Sequence, residues 1–317
     1  MTNQLGRTSA PSLGHAHDHG LATANRGRLL VALAITLSVL GIEVVAAVVT
    51  GSLALLVDAA HMLTDAVGLV VATLAATLIA RPATTRRTWG WQRAEVIAAA
   101  AQASILLVVG AYAVYEGVQR LIHPPQMGSG LLAIVGAIGL AANVASLLVL
   151  SGGRGDNLNM RAAFLEVAND ALGSVAVLVA GAVIALTGWM RADAVAGLFV
   201  AALIVPRAVI LLRESAAILL ESTPAGLDLD EVRSHILAQP HVRGVHDLHA
   251  STVASGLPVL TCHVVLDDEC FGDGHCLEIL TALHACVASH HGVEIEHATL
   301  QLESASLAAA HAEHLHT

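Results

Sequence analysis

Residues 53–80 read LALLVDAAHMLTDAVGLVVATLAATLIA, an apolar run interrupted by Asp58, His61 and Asp65. As a helix the run is long enough to cross a hydrocarbon core of about 30 Å. His61 and Asp65 are spaced i, i+4, so both project from one face about a turn apart. A second such pair, Glu166 with Asp170, lies in the apolar stretch 161–187. An ionisable group at the bilayer centre costs about 2.5–3.5 kcal/mol, so four uncompensated groups cost on the order of 10 kcal/mol. A divalent cation held between the two helices, replaced by protons when it leaves, compensates them and implies transport.

The rest of the chain fits that reading. Of 317 residues, 56% are hydrophobic and 13% charged, with a mean hydropathy of +0.71, too apolar for an ordinary soluble domain. The apolar character fills residues 27–212 and predicts six spanning helices at 28–50, 53–80, 94–121, 130–150, 161–187 and 192–212. Their Ala, Val, Leu and Gly content suits close packing of membrane helices. Arg26, Arg28, Arg81, Arg86, Arg87, Arg93, Arg154, Arg161 and Arg213 flank one set of helix ends, and only Arg120 and Arg191 the other. This bias places both termini in the cytoplasm of a multi-pass protein of the cell's inner (plasma) membrane. The first 25 residues lack the apolar segment of a cleavable signal.

The C-terminal third is mixed and acidic, within a net charge of −10. That balance favours cations as partners and disfavours nucleic acid and anionic lipid, so no nucleic-acid partner is expected. Cys262, Cys270, Cys276 and Cys286 all lie there and read as reduced thiols. Asp228 caps a predicted short helix to Ala238, with Val232, Ile236 and Leu237 apolar. Residues 245–253 and 257–266 read as strands joined at Ala254-Ser255-Gly256, followed by a helix over 275–290 and a strand over 297–303. The order α-β-β-α-β predicts a small α+β sheet with helices on one face. The domains expected are a His-containing disordered tail (1–27), a transmembrane domain (28–212), a cytoplasmic domain with its linker (213–303) and a His-containing C-terminal tail (304–317).

Four motifs carry a family resemblance. Gly51-Ser-Leu-Ala-Leu-Leu-Val-Asp-Ala-Ala-His-Met-Leu-Thr-Asp65 resembles the second-helix signature of the cation diffusion facilitator family. Trp89-Gly-Trp-Gln-Arg-Ala-Glu95, Phe164-Leu-Glu-Val-Ala-Asn-Asp-Ala-Leu-Gly-Ser174 and Leu219-Leu-Glu-Ser-Thr-Pro224 are similar to further signatures of it. Within the family, the bacterial cobalt, zinc and cadmium resistance exporters are the nearest in pattern. The resemblance implies proton-coupled export of divalent metal from the cytoplasm by a homodimer joined through a ferredoxin-like cytoplasmic domain, with no resident cofactor. It implies His61, Asp65 and Asp170 as ligands of the transported ion. Glu166 stands where many zinc-transporting members have histidine. One imidazole with three carboxylates still suits tetrahedral zinc, and its harder character discriminates less against cobalt or cadmium.

The resemblance also implies a regulatory metal site from His246, His263, His297 and Glu303, whose alternative is solvated surface histidine. His246 and His263 fall nearly opposite one another on the hairpin. His249, His275 and Cys262 are lesser candidates, and the loop 81–93 lacks ligands for a site of its own. His15, His17, His19, His311, His314 and His316 make the tails weak metal collectors. Asp58 lies about a turn from His61, as an exit-path or structural residue. Glu43 reads as a packing acid, and Asn143 or Asn169 as a hydrogen-bond partner for a structural acid. Two readings from other classes are a membrane metal sensor and an intramembrane metalloenzyme, the latter without a separate general base or a His-Glu-x-x-His motif.

Overall fold

The computed structural model describes residues 18–125, 129–152, 158–289 and 293–311. His15, His17, His314 and His316 lie outside the described residues, as does most of the loop between the predicted fourth and fifth spans. The chain divides into two compact units, Met1–Ala66 with Val108–Val205, and Val67–Leu107 with Pro206–Thr317. The division passes through three long helices.

Six long helices come first: α1 (Asp18–Thr50), α2 (Leu53–Ile79), α3 (Ala94–Ile122), α4 (Ser129–Ser151), α5 (Leu158–Thr187) and α6 (Arg191–Leu219). Among the described residues, five helical segments are long and apolar enough to cross a membrane: Arg28–Thr50, Ala94–Ile122, Leu131–Ser151, Ala163–Thr187 and Arg191–Leu219. α2 carries 27 residues, among them His61 and Asp65. Helix α1 begins ten residues before the predicted span, and α6 runs seven residues past it. The extension of α6 follows from Arg213-Glu214-Ser215-Ala216-Ala217, polar but helix-favouring residues that outlast the apolar stretch. It stops where Glu221 takes a φ of 57°. Between α1 and α2 the chain reverses at Gly51, whose φ of 69° suits a residue without Cβ.

In the first unit, Leu132 and Val135 of α4 pack against Val177, Ala180 and Ile184 of α5, with Ala46, Ala47 and Leu55 closing the cluster. The helices approach closely because a Cβ on Gly136 would stand 2.7 Å from Leu178 N, and one on Gly181 2.6 Å from Ala133 N. Lipid supplies no hydrophobic drive between helices, so this backbone proximity is what holds such pairs together. Val48, Leu148 and Leu186 point outward at 79%, 71% and 86% exposure. Such apolar outer faces suit lipid rather than water.

In the second unit, α7 (Leu229–Leu237), β1 (Val242–Ala254), β2 (Leu257–Leu266), a short α8 (Cys270–Asp273), α9 (Cys276–Ser289), β3 (His297–Ser304) and α10 (Ala305–His311) follow. β2 is central, antiparallel to β1 and parallel to β3. The parallel pair requires a crossover, which α9 supplies. Leu260, Cys262, Val264 and Leu266 alternate along β2 into a core shared with Val232 and Ile236 of α7 and Leu283 and Val287 of α9. Asp228 caps α7 through Oδ1, accepting from Asp230 N at 2.9 Å and Glu231 N at 3.3 Å. Leu237, expected among the apolar contacts of α7, is instead 43% exposed, because the face of this helix that turns to the core is the one carrying Val232 and Ile236, with Leu229 packed beside them.

The second unit also ties the α2–α3 segment to the sheet. Glu95 Oε1, at the start of α3, accepts from Ser255 N in the β1–β2 turn at 2.8 Å. Trp89 meets His297 edge to face with ring centroids 5.4 Å apart. Arg93 pairs with Glu221 at 2.7 Å.

Candidate metal centre

His61 and Asp65 leave one face of α2, as the i, i+4 spacing requires, with His61 Nε2 3.4 Å from Asp65 Oδ2. Glu166 and Asp170 leave one face of α5. Tertiary packing brings the two faces together. One ligand atom from each of His61, Asp65 and Glu166 lies within 4.8 Å of the other two. Asp170 Oδ1 stands 3.8 Å from His61 Nε2. All four residues thus converge, with Asp170 at the margin of the tightest group. His61 is 2% exposed and Asp170 6%, whereas Asp65 and Glu166 are half-buried, so the centre is open on one side.

The donor set is one imidazole nitrogen and up to three carboxylates, a combination that suits a divalent transition ion in a small coordination shell. Residues 29–80, 129–153 and 162–190 contain no arginine or lysine, so these helices bring no basic side chain to neutralise the carboxylates within those stretches. A cargo cation or protons must do so.

A second cluster lies on the sheet of the other unit. His246 and His263 are register partners across β1 and β2, with ring centroids 4.9 Å apart. Glu303 of β3 is fully buried between them, its Oε2 3.1 Å from His246 Nε2 and its Oε1 2.7 Å from His263 Nδ1. Gln301 Nε2 donates to Glu303 Oε1 at 2.7 Å and steadies it. Ligand atoms of the three residues fall within 4.8 Å of one another.

His297 does not join them. Six residues of extended strand separate it from Glu303, about 20 Å at the rise of a β-strand, and it packs against Trp89 instead. Among the lesser candidates, Cys262 faces the apolar core, since successive strand residues point to opposite faces and His263 takes the other. Burial pushes its thiol up to about 11. His249 points to solvent with Asp247 3.8 Å away, and His275 stacks on His241 at 6.2 Å.

Sequence reasoning passed over Asp193, the first acid of α6. It is 1% exposed and accepts from Leu53 N, Ala54 N and Ser52 Oγ at the start of α2. Arg120 of α3 stands 3.7 Å from it and donates to Gly51 O at 2.6 Å. The signal available was a lone acid at the mouth of an apolar span, on the side that holds only two arginines.

Residues 29–220 match the family model of the cation efflux transmembrane domain, and residues 224–305 that of the cation efflux protein cytoplasmic domain. The metal cation efflux system protein CzcD of Cupriavidus metallidurans is 42% identical over 92% of this chain and 90% of its own length. The zinc transporter ZitB of Escherichia coli is 37% identical over 93% and 92%. The cadmium, cobalt and zinc/H(+)-K(+) antiporter of Bacillus subtilis is 34% identical over 92% of both chains. These likenesses are to transporters and not to enzymes. Both ligand-bearing helices and the histidine-bearing sheet fall inside the matched regions, and the chain belongs to the cation diffusion facilitator family as a metal cation efflux transporter.

Proposed function

We propose that the protein exports zinc, and with it cadmium and cobalt, from the cytoplasm in exchange for protons, with the ion carried by His61, Asp65, Glu166 and Asp170. The convergence of one imidazole and three carboxylates from α2 and α5 carries this reading. The names of the zinc, cadmium and cobalt transporters among its relatives support the choice of metals and the proton as counter-ion. From the cytoplasmic side, metal displaces protons from the centre; facing outward, protons displace metal. An imidazole titrates near pH 6.5 when unperturbed and is suited to that competition. The two pairs remain at mid-helix while the helices rock about them.

In the same reading all six long helices span the plasma membrane with both termini cytoplasmic, and residues 213–303 form a ferredoxin-like domain through which two copies pair. The α-β-β-α-β order and the mixed three-stranded sheet support it. The tails 1–27 and 304–317 collect metal weakly. His246, His263 and Glu303 bind a regulatory zinc ion in the cytoplasmic domain.

The test is metal uptake into proteoliposomes under an imposed pH gradient, comparing the parent with Asp170→Ala. Gradient-driven zinc movement, abolished in the variant, is the expected result. Metal binding with no gradient-dependent movement, beside a working control exchanger, would overturn the exchange reading.

A further inference from the structure

Beside the metal centre the same unit buries a second polar group that the centre does not use. Glu43 of α1 and Asp58 of α2 are each 2% exposed, and their carboxyls hydrogen-bond to one another. A Cβ on Gly139 of α4 would lie 3.1 Å from Glu43 Oε1 and 3.0 Å from Ser174 Oγ of α5. A Cβ on Gly173 would lie 2.7 Å from Asp58 Oδ1. Glycine at both positions therefore leaves the oxygens room that any side chain would fill. Asn143 of α4, 2% exposed, donates through Nδ2 to Ser174 Oγ at 3.0 Å. Its own Oδ1 is buried without a hydrogen-bond partner among the described residues, and so is the Oγ of Ser146 a turn further along α4. Four helices thus bring two carboxyls, an amide oxygen and a hydroxyl to one place.

Two touching carboxyls cannot both be ionised unless a cation lies with them. The stretches of α1, α2, α4 and α5 free of basic residues bring none. The remaining titratable groups on these stretches are His61 and Asp65 of α2 and Glu166 and Asp170 of α5; α1 from residue 29 and α4 add none. One divalent ion at the metal centre balances two of the five carboxyls, leaving three, Glu43 and Asp58 among them, to be balanced by other cations. Their donors are all oxygen, with no imidazole or thiolate, which selects a hard cation over the transition ions that the His61 centre takes.

We propose that Glu43, Asp58, Asn143 and Ser174 form a second cation site, which holds a hard monovalent counter-ion, a proton shared by the carboxyls or an alkali cation, in the exchange for metal. The proposal rests on the antiport reading above. Occupancy of one site opposes occupancy of the other through the charge they share at close range in a low dielectric. Coupling of this kind changes affinity by about 5- to 150-fold.

The experiment measures Co²⁺ affinity of the purified full-length protein by its visible spectrum, for the parent, Glu43→Gln, Asp58→Asn and Gly139→Ala. It is run across pH with sodium, potassium or N-methylglucamine as the sole monovalent cation. For the parent, affinity should fall by a factor in that range as the counter-ion is raised. For the variants, the fall should lose about one bound cation from its slope while the tetrahedral Co²⁺ spectrum persists at high pH. A slope that responds to pH in N-methylglucamine identifies the proton; one that responds to potassium or sodium at fixed pH identifies the alkali cation. An unchanged slope in all three variants overturns the proposal, and so does loss of Co²⁺ binding at every pH in variants that elute as monodisperse protein. Failure of the parent to move metal against any gradient in proteoliposomes would instead remove the antiport reading.

Discussion

The carboxylate of Asp193 accepts a hydrogen bond from the backbone N–H of Leu53 at 2.7 Å, so a residue at the start of α6 caps the helix that carries His61 and Asp65. The first N–H groups of a helix have no partner within it, and negative charge there is favourable. Asp193 satisfies two of them and the hydroxyl of Ser52 while Arg120 balances its charge. The height of His61 and Asp65 in the unit is set by this anchor two to three turns away.

Asp193→Asn and Asp193→Ala should therefore lower stability by about 1–3 kcal/mol, the alanine variant more, because alanine leaves the hydroxyl of Ser52 and the N–H groups of Leu53 and Ala54 buried without their acceptor. Thermal unfolding of the purified protein in detergent measures this. An unchanged midpoint for the alanine variant would mean that the cap contributes nothing.

Loss of one ligand from the metal centre should weaken zinc binding at least about tenfold, the scale set by partners one shell further out. Titration calorimetry on His61→Ala and Asp170→Asn provides the check. Glu166→His should raise the preference for zinc over manganese, since imidazole replaces a hard oxygen donor. Equal affinities before and after that exchange would show that Glu166 does not face the ion.

In the sheet of the second unit, Glu303→Gln should remove about one equivalent of bound zinc and leave the centre between α2 and α5 loaded, because a neutral amide is a poor ligand between two imidazoles. His297→Ala should leave that stoichiometry unchanged, given its place against Trp89. Counting bound metal by elemental analysis separates the two variants.

Gly181→Val should cost about 1–3 kcal/mol or more, since its Cβ would sit 2.6 Å from the backbone of Ala133, which cannot rotate aside as a side chain can. The expected sign is a lower unfolding temperature and a broader elution profile. Glycine-tolerant behaviour, with valine folding as well as the parent, would contradict the close α4–α5 approach.

Cys262 has a pH signature. Burial raises its thiol from the ordinary 9.0 to about 11, so the unfolded chain ionises before the folded one does. Stability carried by this group is intact below pH 9.0 and declines as pH rises towards about 11. Maleimide should label the half-buried Cys276 before Cys262, and Cys262→Ala should flatten the alkaline decline. Equal labelling rates would contradict the burial of this strand face.

Sequence alone determined what is local. The i, i+4 pairs on α2 and α5, the Asp228 cap and the turn at Ser255 follow from spacing, because helix and strand periods decide which side chains share a face, whereas the His246–His263 pairing also needs the register shifts between His246 and His249 and between Thr252 and Ala254. The apolar runs likewise set the long helices to within a turn or two at most ends. Only the tertiary structure decided which faces meet. The encounter of α2 with α5, the carboxyl contact of Glu43 with Asp58, the cap of Asp193 on Leu53 and the separation of His297 from Glu303 link residues whose chain distance carries no geometric information. They depend on how closely helices approach at Gly136, Gly139, Gly173 and Gly181 and on how strands align in the sheet. Those distances come from packing, to which every helix contributes at once.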